Sequence, residues 1–377
     1  MKLRPLLIAA ACSAAFGVVF SAATAAGARA SSPAASPAAQ RPTAAVLDTG
    51  ELAGAAYRID IPAGWNGDLV MLLHGYEPKG MPRPTPMAQN EAAPLFLSQG
   101  YAVASSAYRE QGWAVEAARE DNERLRAHFV EKYGRPGHTY VAGFSMGGQI
   151  VLATLEHHGA QYDGGLSLCG VNTSTDRIID DGALTNLLAF DDFFPGVLGL
   201  AQGGLADPAS PDMIDPGAVE KALASDEAKA ALLSKRLQIP REALAGAIML
   251  SNLIQREMQT RVGGFPLDNT TTRYAGFGDD DAFNRSVRRY HGSPEAIRQL
   301  AQIGALSGRI DKPLVLLSNN ADQTVAPRFA ADYAQRARKA GRGKWLHVLP
   351  PAGSGHCGFA NDDMLVGLRV LERAAKH

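Results

Sequence analysis

A serine hydroxyl is a poor nucleophile until it is held clear of the backbone and touched by a base. One stretch meets the first condition: Tyr140-Val-Ala-Gly-Phe-Ser-Met-Gly-Gly148. It reads as a short strand over 139–142 entering a Gly-x-Ser-x-Gly turn formed by Gly143, Ser145 and Gly147, with an amphipathic helix over 149–158 directly after. Glycines flank the serine because the turn is too tight for side chains, and the serine itself is expected in a strained conformation. The N–H groups that open the helix point at the same place and favour negative charge developing there.

The second condition requires a base, a group that orients the base, and donors for an oxyanion. Behind such a turn the order along the chain is Ser, acid, His. His356, in Pro351-Ala-Gly-Ser-Gly-His-Cys-Gly358, follows the last predicted strand on a Gly-rich loop, and it alone of nine histidines has that setting. Asp322 lies in Asn319-Asn-Ala-Asp-Gln-Thr-Val325, just past a strand over 313–317, where a carboxylate can hold the Nδ1 proton of an imidazole. Asp176, soon after the preceding strand, is the runner-up, and Asp311 stands at the wrong end of its strand. Asp322 can also be read as a helix N-cap. His74-Gly75-Tyr76 ends the first central strand, which makes the backbone N–H groups of Tyr76 and Met146 the oxyanion donors and leaves His74 to brace the loop. No His-x-x-x-His or Cys-x-x-Cys spacing occurs, so no metal site is expected.

These groups are far apart in sequence, and regular elements must bring them together. Strands are predicted over 55–61, 68–73, 100–105, 139–142, 164–169, 313–317 and 344–349, and helices over 90–99, 116–133, 149–158, 327–339 and 361–376. Strand–helix alternation of this kind implies a parallel sheet with right-handed crossovers. Asn66-Gly67 adds a hairpin signal between the first two strands. From about 171 to 308 helical periodicity replaces strands, at 185–190, 216–224, 226–237 and 241–260. A helical block between two sheet strands is expected over their C-terminal edge, where open α/β sheets bind ligands. Its apolar runs, Leu187, Leu188, Phe190, Phe193 and Phe194 and then 249–254, could line a pocket or fill a core. Thr271 to Tyr274 and Asp279 to Asp281 read as loop surface.

The beginning of the chain is a different kind of sequence. Lys2 and Arg4 precede an apolar run over 6–26 with Ala-x-Ala at Ala23 and Ala28, the pattern of a secretory signal peptide. The organisation expected is therefore a signal peptide at 1–30, a disordered Ser/Ala/Pro-rich lead-in at 31–50, sheet domain at 51–171 and 309–377, and a helical cap at 172–308. Lys plus Arg (37) balances Asp plus Glu (38), which gives no reason to expect nucleic acid or an anionic membrane as partner. No second long apolar run exists to hold the mature chain in a membrane, and the sequence is silent on oligomeric state.

Leu73-His-Gly-Tyr76, Gly143-Phe-Ser-Met-Gly-Gly148, Asn320-Ala-Asp-Gln-Thr-Val325 and Gly353-Ser-Gly-His-Cys-Gly358, in that order at strand ends, resemble the α/β-hydrolase superfamily. The likeness covers roughly 55–171 and 307–377. It implies an α/β-hydrolase fold, a mostly parallel central sheet flanked by helices, with the cap inserted after the strand ending at Cys169. It also implies a cofactor-free serine hydrolase using Ser145, His356 and Asp322. Within the superfamily the chain is similar to secreted bacterial esterases and prolyl-oligopeptidase-like peptidases. The short His-Gly-Tyr replaces the HGGG of hormone-sensitive-lipase-like esterases. Tannase-like feruloyl esterases place cysteines beside both serine and histidine, whereas here only His356 has one. Cys169 and Cys357, expected at the same sheet edge in an exported protein, are predicted to pair in a disulfide that pins the histidine loop. The function expected is hydrolysis of carboxylic esters in the periplasm or outside the cell. The alternatives are cleavage of short peptides or amides by the same site, and a non-catalytic binding protein on this fold.

Overall fold

The computed structural model describes residues 42–329 and 331–376. The expected signal peptide and most of the expected lead-in lie outside those residues. Eight strands form one sheet: β1 (Val46–Leu52), β2 (Ala55–Ile61), β3 (Leu69–Leu73), β4 (Ala102–Ser106), β5 (Thr139–Phe144), β6 (Gly164–Leu168), β7 (Leu314–Leu317) and β8 (Leu346–Val348). Their order across the sheet is β1-β2-β4-β3-β5-β6-β7-β8. The pairs β1–β2 and β2–β4 are antiparallel and the remainder parallel.

β3, β4, β6 and β7 are buried along their whole length, and β5 up to Gly143. That explains their near-continuous apolar sequences, because both faces of the sheet are covered. One face, with Leu69, Met71 and Val141, packs on helices α2 (Val115–Tyr133) and α3 (Met146–His158). The other, with Val70, Leu72, Ala142 and Leu168, packs on α1 (Ala93–Ser98) and α12 (Asn361–Ala375).

Two expectations are corrected here. Residues 46–50, expected in the disordered lead-in, belong to β1, an edge strand paired with β2 through a tight turn in which Ala53 and Gly54 both have positive φ. Only β1's inner side meets the core, so its sequence carries little apolar alternation to betray it. The Asn66-Gly67 turn does not make a hairpin, because β4 lies between β2 and β3. β2 has already spent one edge on β1. Asn66 instead accepts from the Asp68 N–H at 2.8 Å and donates to the Gln99 carbonyl, which turns the chain into β3 beside β4.

Between β6 and β7 the chain is helical, as expected. It holds α4 (Thr175–Arg177), a π-helical segment Ile178–Leu184, α5 (Thr185–Phe193), α6 (Pro216–Ser225), α7 (Glu227–Leu237), α8 (Leu244–Arg261), α9 (Asp280–Ser286) and α10 (Pro294–Gln302). Asp279, expected on a loop surface, caps α9 by accepting the Ala282 N–H. Helix α11 (Asp332–Lys339) then joins β7 to β8. Among the described residues no helix is long and apolar enough to cross a membrane.

Candidate active site

The register of the parallel strands decides what can meet. Leu73 stands opposite Gly143, Phe144 opposite Leu168, and Leu168 opposite Leu317, so β3, β5, β6 and β7 end at one edge. The residues that follow, His74, Ser145, Cys169 and the 318–322 loop, therefore leave the sheet together.

Ser145 has φ 57° and ψ −123°, a conformation that disfavours any side chain and is held only by its surroundings. Those surroundings are glycine-tight. A Cβ at Gly143 would stand 2.3 Å from the Gly147 carbonyl oxygen, and one at Gly147 would stand 2.5 Å from that of Leu73. The serine N–H donates to Leu168 O, and its carbonyl accepts from Gly148 and Val171. The backbone at Gly75 also runs against the serine, with only 3.1 Å between an added Cβ and that of Ser145. This close pass brings the loop before Tyr76 up to the serine, and Met146 opens α3 directly after it.

His356 Nε2 lies 2.9 Å from Ser145 Oγ, and its Nδ1 lies 3.0 Å from each oxygen of Asp322. Asp322 is 3% exposed and accepts the N–H groups of Thr324 and Val325 at 2.8 Å. No helix begins at Asp322, so it is not an N-cap; its carboxylate closes a turn and holds the imidazole. The sequence did not mark the two residues that join the loops of acid and base. Asn319 Nδ2 donates to Ala352 O at 2.9 Å and Asn320 Nδ2 to Gly353 O at 3.0 Å, while the Gly355 N–H donates to Asn320 O. Gly353 and Gly355 take positive φ to complete the loop.

Cys169 and Cys357 are bonded to each other, with Cα atoms 5.1 Å apart, so the loop carrying His356 is tied covalently to the end of β6. The remaining candidates fall elsewhere. Asp176 is exposed and accepts the neighbouring Arg177 N–H, and Asp311 pairs with Arg342 away from the site. His158 meets Arg119, His138 meets Asp68, and His291 lies beside Asp268. His74 braces the loop as expected: its ring stacks on Tyr108 at 3.9 Å and its Nδ1 bonds the Gly75 carbonyl. Burial holds its pKa below the usual imidazole value.

A pocket opens on Ser145. Tyr76, Trp113 and Val171 line it from the sheet side and Thr324, Val325 and Phe329 from beyond β7. The inserted helices contribute Ile178, Ile179, Asn186, Leu250, Ser251 and Ile254, among others. Of the first apolar run, Leu187, Leu188, Phe190 and Phe194 are core, and Phe193 packs on Phe277 and Phe283; the second run does line the pocket. The phenol of Tyr76 is buried and bonded to no other described residue, and burial raises its pKa, so it faces the pocket as a neutral hydroxyl. Arg328 reaches the same pocket; burial lowers its pKa to about 10, while Asp181, 3.6 Å from its Nε, supports its charge. The wall is thus apolar with a few polar atoms, the usual character of a small-molecule site.

A sequence profile of a Tannase-like family of unknown function (DUF6351) matches residues 42–189. No curated protein matches the chain in sequence. Among solved structures, the chain is similar to EstE5 soaked with p-nitrophenyl butyrate (14% identity, 90% of this chain and 87% of that one, TM-score 0.44). It is likewise similar to a thermostable carboxyl esterase from Bacillus coagulans (14%, 89% and 98%, TM-score 0.42). A prolyl endopeptidase gives 11% identity over 89% of this chain and 39% of that one, at TM-score 0.47. A mostly parallel eight-stranded sheet, a strained serine between β5 and α3, and an acid and a histidine in the loops after β7 and β8 give the chain the α/β-hydrolase fold.

Proposed function

We propose that the protein is an exported serine hydrolase of carboxylic esters. The reading is carried by one observation: Ser145 Oγ 2.9 Å from His356 Nε2, with Asp322 on the far side of the ring, opening into an apolar pocket. Asp322 on the Nδ1 side fixes the tautomer with the proton there, so the lone pair of Nε2 faces the serine. As Ser145 Oγ bonds to the acyl carbon, its proton passes to Nε2 and the carbonyl electrons move onto oxygen. The Tyr76 and Met146 amides receive that oxyanion, a contribution of roughly 3–4 kcal/mol for a well-placed donor. Collapse breaks the bond to the alcohol oxygen, which takes the proton from His356. Water, deprotonated in turn by His356, releases the acid and restores Ser145. The imidazolium formed midway is stabilised by a carboxylate that stays charged.

The inserted block, 172–308, serves as the cap that shapes the pocket over the core of 51–171 and 309–377. Export through the N-terminal apolar segment fits the disulfide, which persists in oxidising compartments.

The test is fluorophosphonate labelling together with a panel of nitrophenyl esters and aminoacyl and prolyl amides. Labelling of the wild type that vanishes in Ser145→Ala, with esters turned over faster than amides, is expected. Faster amide turnover would make the protein a peptidase, and a wild type that takes no label would make it a binding protein.

A further inference from the structure

The pocket wall contributed by the inserted helices contains a polar pair that nothing in the proposed chemistry uses. Asn186 on α5 and Ser251 on α8 both line the pocket and are 7% and 6% exposed. Asn186 Nδ2 donates to Ser251 Oγ at 3.0 Å, while Asn186 Oδ1 is buried and has no partner among the described residues. A buried acceptor left unpaired is costly, and natural cores rarely keep one without a reason. Ser251 accepts the bond from Asn186, which leaves its own proton free to donate. The pair therefore offers one acceptor and one donor side by side. Turning the amide over exchanges the roles but leaves the same offer: a free N–H on Asn186 and a free lone pair on Ser251. The surroundings are aliphatic, with Ile178, Ile179, Leu250 and Ile254 nearby in the wall.

We infer that Asn186 and Ser251 read a hydroxyl group on the substrate, so that the preferred ester is apolar in bulk but hydroxylated where it meets the cap. A hydroxyl donates and accepts at one atom, which is the complement of this pair; an alkyl group of equal size would leave Asn186 Oδ1 without a donor and the Ser251 proton without an acceptor. Discrimination built this way is strong, because the unpaired groups penalise the wrong substrate. The inference rests on the serine-hydrolase reading for its kinetic form, but the pair would recognise a hydroxyl without turnover.

Two ester series locate the group. In the acyl series, nitrophenyl esters of hydroxymethyl-cyclohexanecarboxylic acid and of its ethyl counterpart are compared; in the alcohol series, butanoates of a linear diol and of the alkanol one carbon longer. In one series kcat/KM should favour the hydroxylated member by about 30-fold, within the range for a buried donor and acceptor that lose their partner. Asn186→Leu and Ser251→Ala should each bring that ratio toward one; reading a ratio cancels any loss of folded enzyme. A third arm needs no catalysis: the rise in melting temperature with cyclohexylmethanol against ethylcyclohexane should favour the alcohol in wild type and not in Asn186→Leu. Equal ratios in both series, or a preference that survives both substitutions, overturns the inference. An enzyme inert to every ester, yet stabilised selectively by the alcohol, would instead remove the hydrolase reading and leave the pair's role standing.

Discussion

The two walls of the pocket are built by different means. On the sheet side, backbone register, tight glycines, paired loops and a disulfide fix Ser145, His356 and Asp322, each bonded to the next. On the cap side, helices pack through apolar contacts, the wall includes a π-helical segment, and polar atoms remain unpaired. The physics separates two tasks. A proton must move between atoms held to a fraction of an ångström, which a parallel sheet edge supplies; selection among substrates needs shape and a few polar contacts, which packed helices supply. The comparison predicts that damage to the first wall lowers turnover for every substrate. Damage to the second changes which substrates are chosen.

The largest effect should come from the sheet side. Ser145→Ala and His356→Ala are each expected to lower kcat by about 10⁴-fold or more on all esters, with Asp322→Asn at about 10⁴ because the tautomer is lost. Steady-state rates on two esters of unlike size check it: a loss confined to one ester would erase the distinction between the walls.

Next in size is the disulfide. Replacing Cys169 and Cys357 by alanine removes a link across 188 residues, and roughly 2–4 kcal/mol of stability is expected to go with it. Since Cys357 adjoins His356, a displacement of the ring by a fraction of an ångström should lower kcat by about ten-fold or more, with KM changed little. Urea unfolding and kinetics on the double variant measure both. A stability loss with kcat intact would mean that Asn319 and Asn320 suffice to hold the histidine loop.

How much of this was legible follows the same division. The sheet side was readable because its constraints are local and discrete: Gly143, Ser145 and Gly147 spell a turn, and Asp322 and His356 each follow a strand on a loop. Even Cys169 and Cys357 could be paired by asking which strand end each one leaves. The cap side was readable only as helices. An apolar run on a helix looks the same whether it faces a core, as Leu187 and Phe190 do, or a pocket, as Leu250 and Ile254 do. Asn186 and Ser251 are ordinary polar residues in sequence, and only burial makes them informative. α9 and α10 show themselves in sequence chiefly through their N-terminal signals, Asp279 and Ser293-Pro294. The antiparallel edge failed for another reason: a strand pairs with whichever neighbour topology offers, and Asn66-Gly67 says nothing about β4.

The walls also meet, and the seam gives a third prediction. Glu257 on α8 accepts from Arg261 at 2.8 Å and from the Trp113 N–H at 3.3 Å, and lies 3.2 Å from Lys79. Arg261 continues to Glu110 and to the Gln111 carbonyl. Glu257→Gln keeps the shape but removes the buried carboxylate that faces Arg261 and Lys79, at an expected cost of ~1–3 kcal/mol. Because α8 also carries Leu250, Ser251 and Ile254, KM for bulky esters should rise several-fold more than for nitrophenyl acetate. Melting curves and KM for the two substrates decide it; equal changes would place the seam outside substrate selection.

The smallest effect should arise far from both walls, where it separates stability from chemistry. Asp48 on β1 accepts from Lys132 Nζ at 2.9 Å, Tyr133 Oη at 2.8 Å and Tyr57 Oη at 3.3 Å. Burial alone would raise its pKa, but the bonds from Lys132, Tyr133 and Tyr57 outweigh it and hold the carboxyl below its usual value. A carboxyl acidified by folding stabilises the protein above its unfolded pKa, and that contribution disappears as pH falls through the lowered folded value. Asp48→Asn should therefore be less stable than wild type at neutral pH, by about 1 kcal/mol or less since solvent screens one side of the pair. The gap should close in acid, where both proteins carry a neutral group at this position. Urea midpoints at pH 7 and in acid measure it, with ester turnover at pH 7 as the control. A drop in turnover would mean that β1, at the far edge of the sheet, still governs the register on which Ser145 and His356 depend.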